Sequence, residues 1–72
     1  MNNTAHLQKI GQNIKLLRLE KSLSQEALGE EADISRSYIG KIERGEANAS
    51  ELYYYRIAVA LDVKTETLFK DT

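Results

Sequence analysis

Ser24-Gln25-Glu26-Ala27-Leu28-Gly29-Glu30-Glu31-Ala32-Asp33-Ile34-Ser35-Arg36-Ser37-Tyr38-Ile39-Gly40-Lys41-Ile42-Glu43-Arg44-Gly45 is the stretch that decides the fold. Leu28 and Ala32 stand four apart, and Ile39 and Ile42 three apart, so each half carries a one-sided apolar stripe at helical spacing. Asp33 lies between the stripes, where the chain must reverse, and Asp tolerates a left-handed backbone better than most residues other than Gly and Asn. Ile34 then plugs the corner. Ser24 and Ser35 each precede a stripe, and a serine hydroxyl in that place accepts a hydrogen bond from an amide that the first helical turn leaves unpaired. The stretch therefore reads as two short helices joined by a tight turn, the second exposing Arg36, Ser37, Tyr38 and Lys41.

Outward from this core, Leu7, Ile10, Ile14 and Leu17 recur at three, four and three residues, which predicts a first helix from about Thr4 to Lys21 with one apolar stripe. Leu16 and Leu19 fall on its other side. Ser22 stands where a helix-ending Gly is expected, and Leu23 turns back toward the core. Gly45 stops the third helix after Arg44. Ser50 caps a fourth helix that runs to about Leu61, with Tyr54, Ile57, Ala58 and Leu61 on its core face. Leu52, Tyr55 and Val59 form a second apolar face roughly 120° away, which one small core does not need. Thr65 is expected to cap a short final helix holding Leu68 and Phe69. The expected fold is a compact all-α, five-helix domain spanning residues 1–72, with brief connections and no repeat or linker.

A chain of 72 residues makes one domain, and one so small buries only about 60% of the surface its unfolded chain exposes. With no Cys, neither a disulfide nor a cysteine zinc site adds stability, so tight helix packing or dimerisation must supply it. No cofactor is implied. No apolar run approaches the ~20 residues of a membrane span, and the N-terminus lacks a basic region followed by an apolar one, so a cytoplasmic location is expected. The net charge of −1 argues against a general polyanion binder. Distribution matters more than the sum: Arg36, Lys41 and Arg44 share one window, a local basic face on an acidic chain, whose binding to DNA should weaken steeply with salt.

Together the segments resemble a family. Ile14-Leu17-Arg18, Leu23 to Leu28, Ile34 to Ile39, Ile42-Glu43-Arg44-Gly45 and Ile57 to Val63 are similar, in order and spacing, to the phage-repressor-type (Cro/XRE-like) helix-turn-helix domains. The run from Ser35 to Asn48 is most similar to the controller proteins of restriction-modification systems, stand-alone dimeric transcription regulators. Gly29, Asp33, Glu51 and Ala47 depart from the family pattern. Gly29 and Asp33 are expected to be sterically mild, Glu51 to unsettle packing at the start of the fourth helix, and Ala47 stands where controllers often carry a basic residue.

The resemblance implies a homodimer on double-stranded DNA, with two recognition helices in successive major grooves of a near-palindromic operator. It assigns DNA contact to Gln25, Ser35, Arg36, Ser37, Tyr38, Lys41, Arg44 and Asn48. Gln25, first in the second helix, would bond a phosphate, fixing orientation without reading sequence. Arg36 can place its forked guanidinium on N7 and O6 of a guanine, or instead pair with Asp33 or Glu31. Ser37 can donate to a base or phosphate or be an ordinary surface residue. Tyr38 can meet a phosphate or a thymine methyl, or simply close the core edge. Lys41 can reach a base edge or phosphate, Arg44 a phosphate or solvent, and Asn48 the backbone, unless it only shapes a turn. The resemblance also pairs Arg18 with Glu43 as a structural ion pair.

Three consecutive tyrosines on a helix point in three directions, so they form no stacking platform for single-stranded nucleic acid. Tyr54 is expected in the core. Leu52, Tyr55, Val59 and Phe69 are expected at a dimer interface, the alternative being packing against the final helix or the N-terminal segment. An enzyme is not indicated: His6 is the single histidine, near a terminus, and no carboxylate pair has a pocket. The competing class is an antitoxin-like protein-binding module with secondary DNA binding, which Leu16 and Leu19 favour. No small-molecule effector is implied.

Overall fold

Three serines begin three helices. In the computed structural model, which describes residues 4–72, Ser24 Oγ accepts from the Ala27 amide at 2.9 Å, Ser35 Oγ from Tyr38 at 3.1 Å and Ser50 Oγ from Tyr53 at 3.2 Å. The elements are α1 (Thr4–Glu20), α2 (Gln25–Ala32), α3 (Arg36–Glu43), α4 (Glu51–Ala60) and a 3-10 helix (Thr65–Phe69). The architecture is thus all-helical among the described residues, with four α-helices and one 3-10 turn in place of five α-helices. Five residues are too few for an α-helical ladder to establish itself, and the tighter 3-10 spacing suits short pieces. Thr65 does not cap it: Lys64 precedes the turn and no side chain closes its start. Its far end is held from outside, where Asn13 Nδ2 on α1 donates to the Leu68 carbonyl at 3.0 Å and the Lys70 carbonyl at 2.9 Å.

The helix ends share one solution. Each of the four α-helices closes with a residue in the left-handed region, Ser22, Asp33, Gly45 and Asp62, at φ of 58°, 58°, 77° and 58°. The next residue's amide then bonds back to the carbonyl five positions earlier: Leu23 to Arg18 at 3.0 Å, Ile34 to Gly29 at 2.9 Å, Glu46 to Lys41 at 2.8 Å and Val63 to Ala58 at 3.0 Å. This is the Schellman closure, in which the residue making the long bond is commonly apolar and packs on the helix it ends. Leu23, Ile34 and Val63 pack into or against the core in this way. At α3 the residue is the exposed Glu46.

The stripes meet in one core whose largest fully buried members are Ile14, Leu28, Ile39, Ile42, Ile57, Leu61 and Leu68. α1 packs on α3, α2 on α3 and α4, and the 3-10 helix on α1 and α4. Two glycines permit close approach. A Cβ on Gly11 would meet the Glu43 carbonyl oxygen at 2.5 Å, so α1 and α3 touch backbone to backbone there. A Cβ on Gly29 would meet the Ile34 carbonyl oxygen at 2.5 Å, which corrects the expectation that this position is sterically mild: the turn folds down onto α2. Glu51 begins α4 on the outside and leaves its packing intact, its charge facing the positive end of the helix dipole. Tyr54 is buried, its phenol oxygen accepting from the Ala49 amide at 3.3 Å. Burial raises its pKa above the usual tyrosine value, the Ala49 amide opposes that rise, and the nearby Tyr38 adds to it.

One buried pair crosses this core. Arg18 Nε donates to Glu43 Oε2 at 2.7 Å and Arg18 Nη2 to Glu43 Oε1 at 3.0 Å, with the residues only 7% and 8% exposed. Arg18 Nη1 also donates to the Leu23 carbonyl at 2.8 Å, and Gln25 Nε2 to Glu43 Oε1 at 3.0 Å. Both charges are thereby paired and further hydrogen-bonded, the condition under which ions survive burial.

Removing one member strands the other. Glu43→Gln should therefore cost about 3 kcal/mol, read as a lower urea midpoint, and an unchanged midpoint would refute the bracing role. Ser22 and Asp62 carry side chains in a backbone region that favours glycine. Ser22→Gly and Asp62→Gly should each stabilise by about 0.5–1 kcal/mol, a rise of roughly 2–8 °C in Tm for a domain of this size by thermal melting.

Candidate nucleic-acid interface

The surface side of α3 is set by what its other side buries. Ile39 and Ile42 enter the core, so Arg36, Ser37 and Lys41 are left on the exposed surface, with Arg44 just beyond the last helical residue. Among the described residues the ion pairs closer than 4.0 Å are Arg18 with Glu43 and Arg44 with Glu46. Arg36 consequently has no carboxylate partner, and the alternative pairing with Asp33 or Glu31 is not made. Its guanidinium stands at the opening of α3, between an acidic shallow depression lined by Glu26, Glu30 and Asp33 and a second depression beside it.

That second depression gathers Gln25, Arg36, Ser37, Gly40 and Arg44. Gln25 reaches it from the first residue of α2, and its amide nitrogen is already tied to Glu43. An amide NH2 carries two hydrogens, so the second remains to donate outward. Gly40 forms part of the floor. A methyl there would come within 3.0 Å of Arg44 Nη1 and 3.6 Å of Gln25 Oε1, so the arginine lies close across the glycine. Sequence reasoning passed over Gly40, although a glycine inside a short helix costs roughly 1 kcal/mol and flags a close approach.

The remaining expected residues lie around this depression. Ser35 is exposed and caps α3, its oxygen engaged with the Tyr38 amide while its hydrogen stays free to be donated. Tyr38 is half-buried, its ring set edge-on against Tyr53 at 5.6 Å and 80°, so it serves the core edge while bordering the exposed surface of α3. Lys41 is exposed with no ion-pair partner, and Asn48 is exposed in the loop before α4. Both stand outside the depression.

Arg44 is the departure. Its expected options were a phosphate or open water, but Nε donates to Glu46 Oε2 at 2.9 Å and Nη2 to Glu46 Oε1 at 3.1 Å. The two-point bond raises the arginine pKa above its ordinary value and lowers that of Glu46, Lys41 adding a smaller attraction on the carboxylate. Glu46 was not singled out in the sequence; its place two residues beyond Arg44, after a turn-forming Gly45, was the available signal.

On α4, Leu52, Tyr55 and Val59 are 54%, 57% and 59% exposed. Leu52 and Tyr55 border a shallow depression with Glu51 and with Thr65 of the 3-10 helix, and Leu52, Tyr55 and Val59 all stay more than half exposed. Phe69 differs: it is half-buried, with its ring edge-on to Tyr54 at 5.2 Å and 77°, and belongs chiefly to the chain's own core. Leu16 and Leu19 on α1 are exposed, as their spacing predicts. No helix among the described residues is long and apolar enough to cross a membrane.

Residues 14–68 match the family model described as helix-turn-helix. The immunity repressor of Bacillus phage phi105 is 40% identical over 68 residues, covering 86% of this chain and 47% of the repressor. The chain thus spans less than half of that relative. The crystal structure of the restriction-modification controller protein C.AhdI from Aeromonas hydrophila superposes with a TM-score of 0.89 at 43% identity, covering 90% of this chain and 98% of that one. The biofilm master regulator SinR, solved in complex with DNA, superposes with a TM-score of 0.81 at 39% identity, covering 85% and 98%. With the family model matched over residues 14–68, most of its length, this chain belongs to the helix-turn-helix family.

Proposed function

We propose that this chain is a sequence-specific transcription regulator of the cytoplasm that binds double-stranded DNA as a homodimer on a near-palindromic operator. The observation that carries the reading is the shared depression of Gln25, Arg36, Ser37 and Arg44, with Arg36 free of any carboxylate at the start of α3. α3 enters the major groove by its N-terminal turn. Arg36 meets guanine N7 and O6 there, the two acceptors that match its fork. Gln25 and the amides opening α2 take one phosphate, Lys41, Arg44 and Asn48 take others, and these contacts fix register without reading bases. Ser35, Ser37 and Tyr38 line the approach.

The dimer is built on α4. Leu52, Tyr55 and Val59, with Phe69 at the margin, meet the same surface of a second copy, an isologous contact that sets two copies of α3 about 34 Å apart along one face of the duplex. The likeness to C.AhdI at nearly full length for both chains supports an autoregulating restriction-modification controller as the biological role.

Selection from random duplex DNA at a stated salt concentration should enrich a motif with two related half-sites; enrichment of no motif refutes the function. Arg36→Ala should cost about 1–3 kcal/mol of discrimination at a guanine in each half-site while leaving the fold and the dimer intact. Retained preference at every position would remove Arg36 from base reading. Tyr55→Glu places a charge in the apolar contact, and light scattering should then give a monomer mass where the parent chain gives a dimer. A dimer that survives this change is not built on α4.

A further inference from the structure

We propose that Glu46 sets how strongly this face grips the DNA backbone, by occupying the guanidinium of Arg44 that a phosphate must take. The inference rests on the DNA-binding reading above and assigns it a residue outside the expected contact set. Three observations meet at this position. Arg44 presents its fork to a carboxylate in two-point geometry, at 2.9 and 3.1 Å, and phosphate oxygens use that same fork. The Arg44 guanidinium lies over Gly40 in the depression shared with Gln25 and Arg36, where the DNA backbone would pass. The Glu46 backbone is fixed by its 2.8 Å bond to the Lys41 carbonyl, so the closure of α3 itself delivers the carboxylate.

The other three closures place Leu23, Ile34 and Val63 against the core at the equivalent position. At α3 the same geometry holds an exposed acid beside the arginine. A free surface pair is worth little, because two long side chains must be ordered to make it. Here the carboxylate's backbone is already held, which removes part of that cost. The charges facing Glu46 are Arg44 and Lys41, and Arg36 lies along the same side of α3. Glu26, Glu30 and Asp33 border Arg36 at the other end of this face, and Glu43 is neutralised by Arg18, so Glu46 is the acid bonded to Arg44.

Phosphate binding by Arg44 then becomes an exchange of one anion for another. The vacated carboxylate gathers a counterion as the DNA releases one, so the contact adds little to the salt dependence. Removing the carboxylate's charge turns the exchange into a full phosphate contact.

The test is a double-mutant cycle with E46Q, R44A and the pair, titrated by fluorescence anisotropy into a mixed-sequence duplex and into the selected operator across a salt series. Circular dichroism confirms that each variant folds. E46Q should bind the mixed-sequence duplex about two- to fivefold more tightly, with a salt slope steeper by about 0.9. In the R44A background the same change should shift affinity by less than about 1.5-fold. An equal gain in both backgrounds would mean that Glu46 acts only as a general repulsive charge and would overturn the inference, as would no gain in either. If the parent chain binds neither duplex, the DNA-binding function falls and this inference with it. Binding by the parent without coupling between Arg44 and Glu46 overturns the inference alone.

Discussion

The bidentate contact between Arg18 and Glu43 is the constraint on which the rest of the molecule depends. It joins residues 25 positions apart, near the end of α1 and at the last turn of α3, and then extends to the Leu23 carbonyl and the Gln25 amide. A buried ion pair is weak as a source of net stability, because desolvation consumes most of the Coulombic gain. Its directionality is the asset. A guanidinium fork accepts a carboxylate in few orientations, so α3 is held in rotation as well as in position. Gly11 allows α1 to come close enough for that bond, and the amide of Gln25 is oriented by the same carboxylate that orients α3. The start of α2 and the end of α3 are therefore set relative to one another by a single side chain, Glu43.

The formal charge of −1 says little about any one face of the chain. Arg18 and Glu43 cancel within the core and leave that sum unchanged, so what matters is where the exposed charges lie. What remains exposed on α3 is Arg36 and Lys41 without partners, and Arg44 with one. A surface with so few free cations offers weak general attraction to a polyanion, whatever the sum over the chain.

Legibility in the sequence followed distance along the chain. The three serine caps, the apolar stripes, the left-handed Ser22 and Asp33 and the turn at Gly45 are local events, governed by residues within one helical turn of each other, and each could be read directly. The 3-10 geometry of Thr65–Phe69 was missed because a short apolar segment gives the same pattern for either helix type. Asn13 could not be found this way. It bonds carbonyls 55 and 57 residues distant, and nothing around it marks the contact. Gly11 and Gly29 were opaque for the same reason, since each is required by a backbone that passes close only after folding. Around the depression on α3, the family pattern pointed to Gln25, Arg36 and Arg44, whereas the signals at Glu46 and Gly40 were passed over and gain their meaning from Arg44 lying beside both.

The left-handed helix ends carry an evolutionary consequence. Every aspartate codon is a single-base change from a glycine codon, so Asp33 and Asp62 each lie a short mutational step from the residue that their backbone prefers. Most substitutions cost a domain some stability, those on the exposed surface of α3 included. A lineage of this fold can drift to glycine at those helix ends first and then spend the margin on that surface, with the scaffold and its buried pair unchanged.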